Sequence, residues 1–124
     1  MTVFELAHVN ILASDLEAPV RFYRDVLGLT EGRRPAFASP AAWFDLGERA
    51  AIHLVHRSEA ESGPTTGAID HIAFACRDFD QVRRRLDAAG VPYEARMATG
   101  GGLRQIFLRD PNGVKVELAF CEPA

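Results

Sequence analysis

The chain has 124 residues, the length of one compact domain or of two small modules that share a core. Its 17 acidic residues outnumber 14 Lys and Arg, and the formal net charge of −3 disfavours a nucleic-acid-binding protein, because phosphate backbones repel such a surface. No apolar run approaches the roughly 20 residues of a membrane span, and the first residues lack a signal-peptide pattern, so we expect a cytoplasmic protein without membrane contact.

The first half of the chain predicts a strand, a helix and further strands. An apolar, β-branched run over residues 6–13 indicates the first strand, and Ser14 or Asp15 can cap a helix after it. The apolar positions of this helix recur at intervals of three and four residues: Leu16, Val20, Tyr23 and Leu27. Two β-like segments, residues 42–46 and 50–56, follow the helix.

The second half repeats this order. Residues 69–76 form the strand, and Asp78 caps a helix with Gln81 three residues further on. The apolar stripe of this helix has the same spacing: Phe79, Val82, Leu86 and Ala89. Residues 103–108 and 114–120 are the strands that follow.

Three loops divide the elements. The polar stretch 57–67 is the expected linker between a first module, residues 4–57, and a second, residues 68–121. The Asp-Pro-Asn-Gly sequence of residues 110–113 predicts a tight turn that joins the last two strands as a hairpin. The glycines of residues 99–102 precede a strand and not a helix, which favours a mobile loop near a site over a phosphate-binding loop.

Neither the cysteines nor the basic residues indicate a site of their own. Cys76 and Cys121 fit no paired metal motif, and we interpret them as partly buried free thiols of a reducing compartment. The basic run of residues 83–85 falls on the second predicted helix, where a solvated face accounts for it.

Histidine and glutamate stand at matching places in the two halves. His8 and His71 are 63 residues apart, and His53 and Glu117 are 64 apart. Strand periodicity puts these four side chains opposite the apolar face that the helices can cover. His56 falls on the other parity, and we interpret it as a surface histidine at the end of its strand and not as a ligand. Imidazole and carboxylate suit iron, manganese, cobalt, nickel or zinc, so the pattern predicts a divalent-metal site.

A duplicated module with a histidine opening each half and a glutamate in the last strand resembles the vicinal oxygen chelate superfamily, which includes glyoxalase I, methylmalonyl-CoA epimerase, extradiol dioxygenases and fosfomycin- and bleomycin-resistance proteins. Four segments carry the resemblance: residues 8–11, 22–29, 70–74 and 110–118. It implies an α+β fold of two βαβββ modules in tandem, which form a curled mixed sheet around an open cleft in one domain. It also implies a homodimer and a small-molecule substrate chelated by the metal through two neighbouring oxygens.

By the resemblance, His8, His71 and Glu117 match the three common metal ligands. The fourth position holds a carboxylate in glyoxalase I and a glutamine in the epimerase, but here it is His53, which can coordinate or move a proton. Three neutral imidazoles and one carboxylate leave a divalent site with a charge of about +1, which favours an anionic substrate. Because a carboxylate and an imidazole can both take up a proton, Glu117 and His53 are candidate catalytic bases as well as candidate ligands.

The leading hypothesis is a metal-dependent lyase or isomerase of the glyoxalase or epimerase type that stabilises an enolate. Extradiol dioxygenases carry a Tyr where this chain has Phe107, and fosfomycin-resistance enzymes carry a Thr where it has Asn10. A metal-free small-molecule binding or antibiotic-resistance protein stays as the alternative, and an Fe(II) extradiol dioxygenase as a less favoured one.

Five further side chains are candidates for the wall of the pocket, with packing or surface position as the alternative for each: Arg34, Trp43, Phe44, Arg104 and Gln105. Three questions stay open at this point. They are the identity of the substrate, the identity of the metal, and whether the modules of one chain or of two chains close the site.

Overall fold

A computed structural model of the chain describes residues in four ranges: 6–33, 40–60, 66–97 and 104–120. The chain separates into two compact units, Met1–Glu61 and Ser62–Ala124, and each unit has its own four-stranded sheet. Arg34, residues 99–102 and Cys121, which the sequence singles out, lie outside the described ranges.

The first unit has one sheet and one helical stretch. Its elements are, in chain order, β1 (Val9–Ala13), α1 (Glu17–Arg21), a π-helical segment (Phe22–Val26), β2 (Thr30–Glu31), β3 (Ala41–Leu46) and β4 (Arg49–His56). The strand order is β1-β4-β3-β2, with β1 parallel to β4 and the other pairs antiparallel. In this register His53 lies between Asn10 on one side and Trp43 on the other.

The second unit repeats this topology. Its elements are β5 (Ile72–Cys76), α2 (Phe79–Ala89), β6 (Glu94–Met97), β7 (Arg104–Arg109) and β8 (Lys115–Phe120). The order is β5-β8-β7-β6, again with one parallel pair, and Glu117 lies between Ala73 and Phe107. β5 is offset from β1 by 63 residues, and β7 and β8 are offset from β3 and β4 by 64. The spacing seen in the sequence is therefore a repeat of strand register.

The predicted fold class is confirmed, because each unit is a βαβββ module with a mixed sheet. The sequence did not locate β2 and β6. β2 has only two residues, and all four residues of β6 are exposed, so neither shows the alternation of buried and exposed residues by which a strand is recognised. The strands expected over 6–13 and 69–76 begin only at Val9 and Ile72, where their parallel partners begin to pair.

One face of each sheet is packed against the helical segment of the same unit. Ile52 and Leu54 of β4 are buried, and the ring of Tyr23 lies 6.0 Å from that of Phe44. In the second unit the alternating buried residues of β8 belong to the same face as Phe120, whose ring meets Phe79 of α2 edge-on at 5.3 Å. The opposite face of each sheet is therefore left for the polar side chains.

The helix ends follow the local sequence in part. Asp78 Oδ1 accepts a hydrogen bond from the Gln81 amide at 3.1 Å, and Gly90 ends α2 with a φ of 69°, as expected for a capped helix. Asp15 Oδ1 accepts from the Glu17 amide at the start of α1. The first helix is not α-helical throughout, because the Leu27 amide bonds to the Phe22 carbonyl five residues earlier.

The predicted hairpin turn is confirmed between β7 and β8. Asp110 is 5% exposed, and its Oδ1 accepts hydrogen bonds from the amides of Asn112 and Val114, each at 2.8 Å. Gly113 has a φ of 87°, a conformation that glycine adopts without a steric penalty. One buried carboxylate thus satisfies two backbone donors of the turn.

We expect Asp110→Ala to lower the free energy of unfolding by about 1–3 kcal/mol, because two backbone N–H groups lose their acceptor. Urea denaturation of the variant and the wild type measures the difference. Asp110→Asn keeps a carbonyl oxygen at the same place and should lose less. Equal stability of Asp110→Ala and the wild type would contradict this account of the turn.

Two remaining features concern the helices and the cysteine that the structure describes. Within the four described ranges, no helix is long and apolar enough to cross a membrane. Cys76 is a partly buried free thiol, as expected, and burial raises its pKa.

Candidate metal centre

His71 and Glu117 meet on the polar face of the second sheet. Glu117 alternates along β8 with the buried residues Val116 and Leu118, so its carboxylate points away from the packed face. His71 comes immediately before β5, which is parallel to β8, and its Nε2 lies 3.1 Å from Glu117 Oε1. A nitrogen and a carboxylate oxygen predicted as ligands are thus adjacent.

Asp70 fixes the orientation of the His71 ring. Its Oδ2 lies 2.7 Å from His71 Nδ1 and 3.4 Å from Lys115 Nζ. The hydrogen bond with His71, followed by the contacts with Lys115, lowers the pKa of Asp70 below its ordinary value. A proton on Nδ1 that is donated to Asp70 leaves Nε2 bare, which is how metal-binding histidines are commonly held in proteins.

The Glu117 carboxylate is held in the same way. Its Oε2 accepts a hydrogen bond from Gln105 Nε2 at 3.2 Å, while Oε1 faces His71. Gln105, a candidate for the pocket wall, therefore acts on the carboxylate itself. Sequence reasoning missed Asp70, although its place directly before a candidate ligand was a usable signal.

The spacing of Nε2 and Oε1 fits a metal ion. Ligand atoms in neighbouring octahedral positions, each at about 2.1–2.2 Å from a metal, lie about 3.0 Å apart, close to the 3.1 Å observed. A neutral imidazole has one N–H and cannot donate to Asp70 and Glu117 at once. The second contact therefore requires either a second proton or a cation, and the donor set suits a divalent metal.

Two cations lie beside this pair, over the ring of Phe107. The Arg96 guanidinium is 4.8 Å and the Lys115 ammonium 5.3 Å from the Phe107 centroid, and Phe107 meets the His71 ring edge-on at 6.2 Å. Arg96 is paired with Glu94 at 2.9 Å. Lys115 is likewise paired with Asp70 at 3.4 Å, so two cationic side chains next to the candidate ligands are each balanced by a carboxylate.

In the first unit, His8 and His53 form part of a stack of three rings. The centroids of His8 and His53 are 3.9 Å apart with an interplanar angle of 9°, and those of Trp43 and His53 are 4.0 Å apart at 7°. His53 is the middle ring, and His8 is the exposed one. Trp43, a candidate for the pocket wall, lies on the polar face as that interpretation requires.

His53 is buried and hydrogen-bonded to the backbone. It is 9% exposed, and its Nε2 lies 3.0 Å from the carbonyl oxygen of Ala50, which can only accept. Burial, and next the proximity of His8, lower the pKa of His53, so the ring is neutral with its proton on Nε2.

The candidate ligands therefore come in pairs, His8 with His53 and His71 with Glu117. Within the described part of the chain, no group of three or more His, Cys, Asp or Glu side chains is close enough to hold one ion. His56 is exposed, as expected for a residue at the end of a strand.

Two other pocket candidates are packing residues. Phe44 is fully buried in the core of the first unit. The Arg104 guanidinium lies 4.5 Å from the ring centroid of Phe79, which belongs to the packed face of the second unit.

Comparison with known proteins shows the family. The model of the Glyoxalase/Bleomycin resistance protein/Dioxygenase superfamily matches residues 5–118. "Glyoxylase I 4" of Arabidopsis thaliana is 32% identical over 94% of this chain and 71% of its own length, and the lactoylglutathione lyase of Salmonella typhimurium is 31% identical over 96% and 94%. The fold is also that of the fosfomycin resistance protein FosX from Listeria monocytogenes, crystallised with Mn(II) and 1S,2S-dihydroxypropylphosphonic acid; the TM-score is 0.78 at 20% identity, over 97% of this chain and 94% of that one. The chain thus belongs to the Glyoxalase/Bleomycin resistance protein/Dioxygenase superfamily.

Proposed function

We propose that this protein is a metal-dependent enzyme of the glyoxalase type, a lyase or isomerase that acts on a small anionic molecule with two neighbouring oxygens. The observation that carries the proposal is the pair formed by His71 Nε2 and Glu117 Oε1, whose remaining polar atoms are occupied by Asp70 and Gln105. The similarity to a lactoylglutathione lyase over almost the full length of both chains supports an enzyme of this class.

We propose His8, His71 and Glu117 as ligands of one divalent ion, with manganese, iron, cobalt, nickel and zinc as candidates. The Mn(II) complex of FosX supports a divalent metal in this fold. When bound, the ion polarises the substrate carbonyl and stabilises the negative charge that develops as the neighbouring C–H loses its proton.

Glu117 is the proposed catalytic base. Gln105 holds its Oε2 by a hydrogen bond, so the carboxylate keeps a fixed orientation while a proton is taken up and returned. Arg96 and Lys115, which flank Phe107, are the proposed contacts for the negative charge of the substrate. His53, the other candidate base, donates a hydrogen bond from its Nε2 to the Ala50 carbonyl.

Elemental analysis tests the metal half of the proposal. Protein purified without chelators should contain about one divalent ion per chain, and His8→Ala, His71→Ala and Glu117→Ala should each contain much less. His56→Ala, a histidine change at an exposed site, is the matched control. Metal-free wild-type protein that still binds small molecules would favour the alternative of a binding or resistance protein.

Exchange of solvent deuterium into carbon-bound positions tests the chemical half. Candidate 2-oxo acids, thioesters and hemithioacetals should exchange a proton only in the presence of metal-loaded enzyme, because the mechanism removes that proton reversibly. A metal-loaded protein that catalysed no exchange with any of these classes, and consumed oxygen with catechols instead, would point to a dioxygenase.

We expect Asp70→Ala to weaken metal binding by about 10–100-fold, because His71 loses the partner that keeps Nε2 free of a proton and its ring in place. Isothermal titration with Co²⁺ gives the dissociation constant. Asp80→Ala, which removes an exposed aspartate from α2, is the control and should match the wild type. Equal affinity of Asp70→Ala and the wild type would show that the contact with His71 has no part in metal binding.

We also propose that the protein is a cytoplasmic homodimer. Each sheet has two edge strands, β1 and β2 in one and β5 and β6 in the other, and a strand at the edge of a sheet can pair with a second chain. The free thiol of Cys76 suits a reducing compartment. Light scattering after size exclusion measures the mass, and a value near 13.6 kDa would contradict the dimer.

A further inference from the structure

The stacked geometry of His8 and His53 restricts how the two rings can bind a metal. The lone pair of an imidazole nitrogen lies in the plane of the ring, so a metal ion must lie close to that plane. The rings of His8 and His53 are nearly parallel, at 9°, and are stacked with centroids 3.9 Å apart. An ion in the plane of one ring is therefore well outside the plane of the other, and one ion cannot be bound by both.

The surroundings of the two rings decide which of them is the ligand. His53 is the middle ring, covered by Trp43 on one side and by His8 on the other, and its Nε2 donates to the Ala50 carbonyl. His8 is the outer, exposed ring and comes immediately before β1. The exposed ring is the one with access to an ion and a substrate.

A comparison of the two units shows what the stack contributes. Asp70 holds the His71 ring, but the residue at the corresponding place before His8, 63 positions earlier, is Ala7, which has no carboxylate. The first unit has a flat ring at position 53 where the second has Glu117, and Trp43 lies where the second has Phe107. The stack thus supplies the orientation that the aspartate supplies in the other half.

We propose that His53 is a positioning residue that holds the His8 ring through stacking and is neither a metal ligand nor the base. This inference rests on the proposed function, because it assigns His8 as a ligand of the proposed metal site. It accounts for a buried ring with its Nε2 on a backbone carbonyl at the place in the first sheet that corresponds to Glu117 in the second.

Replacement of His53 by two residues separates stacking from coordination. His53→Phe keeps a flat ring and removes both nitrogens, whereas His53→Ala removes the ring. Co²⁺ is the probe, since its visible absorption bands report the number and type of ligands, and titration gives the affinity. His8→Ala serves as the ligand-loss reference, and His56→Phe is the control on the same strand.

We expect His53→Phe to bind Co²⁺ with an affinity within about threefold of the wild type and with the same absorption bands, because a phenyl ring stacks about as well as an imidazole. His53→Ala should bind about 10–100-fold more weakly, as for the loss of other partners that orient a ligand. If His53→Phe loses Co²⁺ as His8→Ala does and changes the absorption bands, His53 is a ligand and the inference is wrong, while the proposed metal site stands. If the wild type binds no Co²⁺, the proposed function and this inference are both overturned.

A metal-free measurement tests the stack itself. In the wild type the ring protons of His8 should show upfield NMR shifts from the ring current of His53, assigned with His8→Ala. These shifts should persist in His53→Phe and disappear in His53→Ala. Unchanged shifts in His53→Ala would show that the His8 ring is not stacked on position 53, which would overturn the inference without reference to any metal.

Discussion

Glu117→Gln is expected to slow metal-dependent deuterium exchange into the substrate by about 10²–10⁴-fold, the usual contribution of a general base. The amide has nearly the shape of the carboxylate, so its oxygen can still face His71, but an amide does not accept a proton at neutral pH. The exchange rate, measured by NMR on metal-loaded protein at saturating substrate, gives the loss. The metal content of the same sample separates a chemical defect from a binding defect.

Two further variants make this result specific. Glu117→Ala should lose both the metal and the exchange, whereas Glu48→Gln, the same change in the exposed turn between β3 and β4, should retain both. If Glu117→Gln binds metal as the wild type does and exchanges deuterium at the wild-type rate, Glu117 is a ligand at most, and another residue must take the proton.

Phe44→Ala is expected to lower the free energy of unfolding by about 3–5 kcal/mol, the typical cost of deleting a large buried side chain. Phe44 is fully buried in β3 and packs against Tyr23, so the missing ring would leave a cavity between the helical segment and the sheet of the first unit. Urea or guanidinium denaturation measures the loss. A loss of this size is a large fraction of the stability of a domain of this length.

Leu46→Ala provides a control in the same strand. Leu46 ends β3 and is 51% exposed, so its removal should cost no more than about 0.5–1 kcal/mol. If both variants lose the same amount of stability, the packed face of the first sheet is assigned incorrectly.

The sequence predicted those parts of the fold that depend on local chemistry or on a repeated period. Asp78 and Gly90 cap the two ends of α2, and residues 110–113 form a hairpin turn. Both features were predictable because caps and turns depend on side chains only a few residues apart. The 63- and 64-residue spacing anticipated the register in which His53 and Glu117 occupy equivalent places.

Other features depend on contacts between residues that are distant in the sequence, and the period of the apolar residues does not encode such contacts. Strand parity puts His53 on the polar face, but it does not specify that the ring lies between Trp43 and His8. The bond from Gln105 to Glu117 joins neighbouring strands, and its geometry depends on side-chain rotamers. The short strands β2 and β6 form by pairing with β3 and β7 and have little pattern of their own.

The two equivalent histidines should respond differently to ionic strength. The His71 ring is held by a hydrogen bond to the exposed Asp70 carboxylate, which also pairs with Lys115, and such exposed ion pairs weaken as the salt concentration rises. The stack on His8 depends on dispersion and on exclusion of water, which salt does not weaken. Two copies of one module thus hold corresponding side chains by forces of different kinds, and high salt should weaken the ionic contact of Asp70 in the second copy while leaving the ring stack of the first unchanged.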